Sequence, residues 1–227
     1  MKQLLFWLSS GLLLTGAAHA QAGLRAGGNL LSFRMSNQLP GAPSVKHRTQ
    51  LGYQVGLYYQ AALSKRFSVV PEVQFSREQQ RVTLDSNVLI DANSYSDYRL
   101  SLSYLNVPVL LRVALGPAYL EAGPQVSWLV GGRGTGDTSG YTWGTGTYVR
   151  AIDQAATDRY HRFDAGFCLG VGVRLPAGLG VSLCAYQGLR QLNTDYTNSP
   201  GTPIPYSGSK EYCQTLQASL TYQLAAR

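Results

Sequence analysis

Few residues in this chain have the types needed for chemistry. Six charged side chains stand among the polar residues of segments that alternate apolar and polar: Arg25, Glu72, Arg112, Glu121, Asp164 and Arg174. A pair such as Glu72 and Glu121 could act as acid and base on a glycosidic bond. Each has an arginine beside it on a neighbouring segment, however, which points to ion pairs. Of three histidines, His47 and His161 lie outside the N-terminal leader. His161 with Ser127 or Ser139 and Asp158 would supply the base, nucleophile and acid of a lipid-modifying enzyme, but no sequence signature ties them together. Cys168, Cys184 and Cys213 form no CxxC or Cys/His spacing, so nothing supports a metal site. The glycine-rich stretch 131–148 lacks G-x-x-x-x-G-K-[ST]. The reading is a non-enzymatic protein with no catalytic residue, cofactor or metal.

The elements that position these residues are strands. Leu51, Tyr53, Val55, Leu57, Tyr59 and Ala61 interleave with Gly52, Gln54, Gly56, Tyr58 and Gln60, and Phe67, Val69, Pro71, Val73 and Phe75 interleave with Ser68, Val70, Glu72, Gln74 and Ser76. A period of two puts each set on its own face. Eight such segments are predicted, at 22–33, 51–62, 67–80, 100–114, 118–130, 161–175, 179–192 and 212–224. Short connections (63–66, 115–117, 176–178) alternate with long ones (34–50, 81–99, 131–160, 193–211). Short periplasmic turns and long outer loops mark an outer-membrane barrel. The fold class is therefore all-β, an eight-stranded antiparallel up-and-down transmembrane β-barrel. Tyr53, Phe75 and Trp128 would form an upper aromatic belt, with Tyr59, Phe67 and Tyr222 forming the lower. The alternative is a soluble barrel with these aromatics turned inward.

With the apolar face toward lipid, parity sends all six charged residues into the lumen. Eight strands enclose a space that side chains fill, and lone charges there would be costly, so they should pair. Arg25, Glu72, Arg112, Glu121 and Arg174 are expected as a structural charge ladder near the periplasmic end that plugs the lumen. Arg112 and Glu121 should face each other across the turn at Gly116-Pro117. Inward glycines should leave room for Tyr58, Tyr104, Tyr119 and Tyr186. Pro71, Pro108 and Pro124 should mark bulges or local kinks. Cys168 and Cys184, equidistant from Pro176, should lie opposite one another. A cross-strand disulfide between them is allowed by export and opposed by the strain of that geometry.

Residues 1–20 read as a signal peptide. Lys2 is basic, Leu4–Leu14 is too short for a helical span, and Ala18-His19-Ala20 is a cleavage site. The mature domain is then 21–227. Removing Lys2 leaves 18 basic against 12 acidic residues, so the net charge falls from +7 to +6. An exported barrel does not meet nucleic acid. The basic excess suits outer-membrane lipid and lipopolysaccharide phosphates, and equally suits loops that must stay soluble during transit.

Several segments resemble one family: GLRAGGNL (23–30), FSVVPEVQF (67–75), YLNVPVLLR (104–112), YLEAGPQ (119–125) and FDAGFCLGVGV (163–173). The chain is similar to the outer-membrane β-barrel family of Bacteroidetes described as porin-like, which includes PorT-type proteins. That resemblance implies a monomeric barrel in the cell outer membrane, delivered by the barrel-insertion machinery, with no assigned activity. PorT-type relatives imply secretion components as partners. Barrels of this kind commonly end on an aromatic. This chain ends YQLAAR, leaving Tyr222 and Leu224 as the nearest insertion signal.

Overall fold

A computed structural model describes residues 21–36, 44–89, 92–142, 146–157, 160–192 and 210–224. The signal-peptide reading of residues 1–20 lies outside these, as does most of the connection 193–211. Among the described residues there are nine strands: β1 (Gln21–Ser36), β2 (Ser44–Ala62), β3 (Phe67–Leu89), β4 (Ala92–Leu115), β5 (Ala118–Thr142), β6 (Gly146–Ala155), β7 (Phe163–Arg174), β8 (Leu179–Gln191) and β9 (Lys210–Gln223). Every pairing is antiparallel. The order β4-β3-β2-β1-β9-β8-β7-β5 closes through β4–β5, so eight strands form the wall. The ninth, β6, pairs only with the outer half of β5, from Arg133↔Ala155 to Thr142↔Gly146.

The short connections fall where the sequence puts them. Gly116 carries φ 71 at the β4–β5 turn. A single 3₁₀ turn, Pro176–Gly178, joins β7 to β8 with Ala177 at φ 61 and Gly178 at φ 76.

Three long connections are different from expectation. Most of 81–99 continues β3 and β4, and most of 131–160 is the outer part of β5 plus β6. Glycine and threonine in 131–142 suggested a loop, yet β4 pairs with this stretch as far as Ala92↔Thr142. Pairing on both sides satisfies the backbone there without an apolar pattern. Glycine is used for close approach: a Cβ on Gly136 would stand 2.2 Å from the Asp97 carbonyl oxygen. Part of 34–50 is likewise strand, and His47 sits in β2 with its ring edge-on to Phe33, centroids 5.5 Å apart.

The prolines mark no bulge. Register is unchanged across Pro71, Pro108 and Pro124. Each coincides instead with missing rungs to the preceding strand: β2–β3 pairing stops between Tyr58↔Glu72 and Ala61↔Val69, β3–β4 between Pro71↔Val109 and Gln74↔Asn106, and β4–β5 between Pro108↔Gln125 and Leu111↔Ala122. A lost donor removes a rung without displacing the strand. Register shifts occur elsewhere. At Ser103↔Gly131 and Tyr104↔Leu129, Val130 is the extra residue.

Lipid-facing side chains follow the predicted parity. Tyr53, Val55, Leu57, Tyr59, Phe67 and Val73 are exposed on the outer surface. Phe75↔Leu105↔Trp128↔Phe163 form one outward row across β3, β4, β5 and β7. Within it Trp128 meets Phe163 edge-on at 6.4 Å, and Tyr53 lies 6.4 Å from Phe75. Beyond this row the sheet of β2 to β6 continues, with Arg77, Arg81, Arg99, Asp97, Arg133 and Asp137 on its outside.

Candidate functional site in a filled lumen

Near the periplasmic end the expected pair is present. Arg112 and Glu121 are directly opposite, and Arg112 NH2 stands 2.8 Å from Glu121 Oε2. Arg112 also donates to Gln60 Oε1 at 3.0 Å and lies 4.2 Å from the Tyr119 ring centroid. Arg25 approaches from the far wall. Its NH2 reaches Glu121 Oε1 at 3.2 Å and Glu72 Oε1 at 2.9 Å. Glu72 in turn accepts from Gln74 Nε2 at 2.5 Å. All four charged side chains are buried. Two cations and two anions therefore share one network built from β1, β3, β4 and β5.

Arg174 does not join it. The sequence places this residue at the end of the ladder, but it sits exposed at the last position of β7, with its guanidinium carbon 6.0 Å from the Tyr119 ring centroid. Parity aims it at the lumen, but the strand ends too early to bring it inside. Arg25 takes the bridging role by reaching across instead.

Cys168 and Cys184 are also displaced from expectation. Cys168 is opposite Tyr186, and Cys184 is opposite Gly170. The pairing axis passes through Ala177, not Pro176, because the 3₁₀ turn contributes three residues. The cysteines therefore sit diagonally. All three are free thiols, and Cys168 Sγ donates to Gln125 Oε1 at 3.0 Å.

Higher in the lumen, Asp164 accepts from the Tyr186 hydroxyl at 2.8 Å and from the Arg190 backbone N–H at 3.2 Å. Glu78 is buried and accepts from Thr215 at 3.4 Å. Sequence reading missed Glu78, although it shares the parity of Glu72. The glycine–tyrosine packing is tight: a Cβ on Gly23 would fall 2.2 Å from the Tyr58 ring, and one on Gly172 would fall 2.3 Å from Tyr119.

Above these polar layers the interior turns apolar. Val82, Leu84, Tyr98, Leu100, Leu102, Tyr104, Leu129, Ile152 and Ala156 form one buried cluster, with Phe33 and Tyr160 against it. Gly132 makes room, since a Cβ there would lie 3.1 Å from Leu102 Cδ2. Sequence reading missed this cluster too. Its signal was available in the alternation Tyr98-Leu100-Leu102-Tyr104, which runs in the opposite phase to the lipid-facing Leu105-Val107-Val109-Leu111.

Among the described residues no contact joins His161 to Ser127 or Ser139. Asp158 lies outside the described residues. His161 Nδ1 is 3.4 Å from Arg190 NH2. Ser127 is buried, opposite Asp164, and accepts from Gln125. Ser139 is on the outward face of β5, opposite Tyr95. Among the described residues no group of three or more His, Cys, Asp or Glu side chains is placed to hold a metal ion.

The family model for the outer membrane protein beta-barrel domain matches residues 16–193. The chain belongs to that family. The barrel therefore resides in the cell outer membrane. No curated protein matches. Solved structures similar to this outer membrane β-barrel domain protein include Ail, the attachment invasion locus protein of Yersinia pestis, with 9% identity and TM-score 0.38 over 90% of this chain and 99% of that one. Neisserial surface protein A is 10% identical with TM-score 0.43, over 90% and 99%. The outer membrane protein OprG from Pseudomonas aeruginosa is 12% identical with TM-score 0.45, over 91% and 97%.

Proposed function

We propose that the protein is a closed, non-enzymatic barrel that acts through the sheet it raises above the membrane, as a binding or shielding platform on the cell surface. One observation carries this reading. Arg25 on β1 contacts Glu121 on β5, and these strands are four steps apart in either direction around the eight-stranded wall. A contact between opposite walls obstructs the whole cross-section, and the apolar cluster fills the space above it. A narrow lumen filled twice over suits a scaffold better than a conduit.

Planar-bilayer recording tests this directly. The purified barrel should add no unitary current steps, and liposomes containing it should swell in small sugars no faster than empty ones. Stable conductance steps would overturn the reading. Turnover of lipid A or phospholipid that His161→Ala abolishes would make the protein an enzyme instead. The PorT-type secretion role implied by the resemblance would use the same outer surface. A deletion strain that exports its cargo normally would reject that role.

A further inference from the structure

Outside the raised sheet, three arginines stand in one cross-strand row: Arg48↔Arg81 on β2–β3 and Arg81↔Arg99 on β3–β4. Directly opposite strand positions have Cβ atoms about 5 Å apart, and like charges placed so repel. Only the middle one is neutralised, by Asp97, whose carboxylate takes Arg81 Nε at 2.8 Å. Among the described residues Arg48 and Arg99 take no ion pair, and neither does Arg77, four positions nearer the lipid on β3. All four arginines are exposed.

Apart from Lys46, which is level with Asp97 through Thr83, the charges along this face are sorted. Arg77 is two residues beyond the girdle residue Phe75, and Arg81 is six beyond it. Arg99 is six residues from Leu105, and Arg48 is three from the lipid-facing Leu51. The acids lie farther out: Asp97 is eight from Leu105, and Asp85 is ten from Phe75. The positive end therefore borders the lipid. Arg81 and Arg99 also line an outward groove of about 570 Å³ together with Tyr95, Thr135 and Ser139, with Asp97 and Asp137 on its outer side. Guanidinium groups suit phosphate, which they bind in bidentate fashion. A tyrosine ring and hydroxyls beside them suit a sugar.

We propose that this face of β2–β4 binds a phosphorylated glycolipid of the outer leaflet, with Arg48, Arg99 and Arg77 as phosphate ligands and the groove holding a head-group sugar. The location rests on the platform reading, but the outcome is separable from it. A barrel that conducts yet binds the glycolipid sinks the closed-lumen reading alone. A silent barrel that ignores the glycolipid sinks only this one.

The test uses the full mature barrel in detergent with bis-phosphorylated lipid A, binding being read by native mass spectrometry. Wild-type protein should retain the lipid, and retention should fall at least tenfold with lipid A whose phosphates have been removed. The Arg48→Gln/Arg99→Gln double variant should show the same loss while keeping the heat-dependent gel shift of a closed barrel. Arg150→Gln, on β6, should bind as wild type. Equal retention of dephosphorylated lipid by wild-type protein overturns the proposal without any variant having to fold. Unchanged binding by a folded double variant overturns it as well. Inorganic phosphate or a soluble sugar phosphate displacing the lipid at equal concentration would make this a soluble-anion site and reject the membrane source.

Discussion

β4 has two halves that obey opposite rules. Toward the periplasm its outward residues are Leu111, Val109, Val107 and Leu105, and its inward ones include Arg112 and Asn106. Past the aromatic row its outward residues are Ser103, Ser101, Arg99 and Asp97, and its inward ones are Leu102, Leu100 and Tyr98. β3 makes the same exchange, from Glu72 and Gln74 inside to Val82 and Leu84 inside. The backbone parity along these strands is continuous, and only the chemistry swaps. The solvent outside is what changes, from hydrocarbon to water. In lipid the wall must be apolar outside, and its interior takes the polar groups, which must then pair. Above lipid the wall follows the logic of a soluble protein and buries its apolar side chains. The lower lumen is thus held by directional ion pairs and the upper by area.

This contrast can be broken in order of expected effect. Glu121→Ala leaves buried Arg112 without an acid and Arg25 with Glu72 alone, and losing the shared partner of buried charges costs about 3–5 kcal/mol. Urea unfolding in lipid vesicles, followed by the gel mobility of the closed form, should show that loss. A cost below about 1 kcal/mol would mean the lower lumen does not depend on its ion pairs. Leu102→Ala should cost about 2–5 kcal/mol, but locally. Protease added outside sealed vesicles should cut within the raised hairpins while the barrel keeps its gel shift. If the whole barrel loosens with no preferential cutting, the two halves form one cooperative unit.

The smallest effect is a pH dependence confined to the raised sheet. Hydrogen bonding from Arg81 holds the Asp97 carboxyl below its ordinary value, and Arg133 does the same for Asp153. A depressed folded value means the contribution is complete above the unfolded aspartate value of about 3.9 and disappears as pH falls through the folded one. Amide protection in the β3–β4 hairpin, taken relative to the intrinsic exchange rate at each pH, should be flat from pH 7 to 5 and fall toward pH 2, and Asp97→Asn should remove that fall. The Arg81–Asp97 pair is partly exposed, so the change for Asp97 should stay within about 1 kcal/mol.

The membrane half of this plan was legible because period-two alternation has one meaning when its apolar face is continuous. That gave the wall strands, the short turns, the outward aromatics and the Arg112–Glu121 register. The raised half was hidden by the change of phase. Leu100 and Leu102 fall on the lumen parity, where polar residues are expected, and Gly134 and Gly136 look like loop. Arg25 reaching Glu121 was not legible either, since a contact between opposite walls has no trace in strand pairing. Nor was the exposure of Arg174, which depends on where β7 stops.

Val130, the unpaired residue of β5, has a consequence for the genetics of this chain. Leu129 points in, Val130 and Gly131 both fall on the outer side, and Gly132 points in again. Strand β5 thus carries a spare tooth at the waterline, and the frame above is set by it. Excising Val130 leaves Arg133, Thr135 and Asp137 still facing out, whereas excising Thr135 turns Asp137 into the greasy interior. Codon losses three to five places apart should therefore separate into a silent class and a ruinous one.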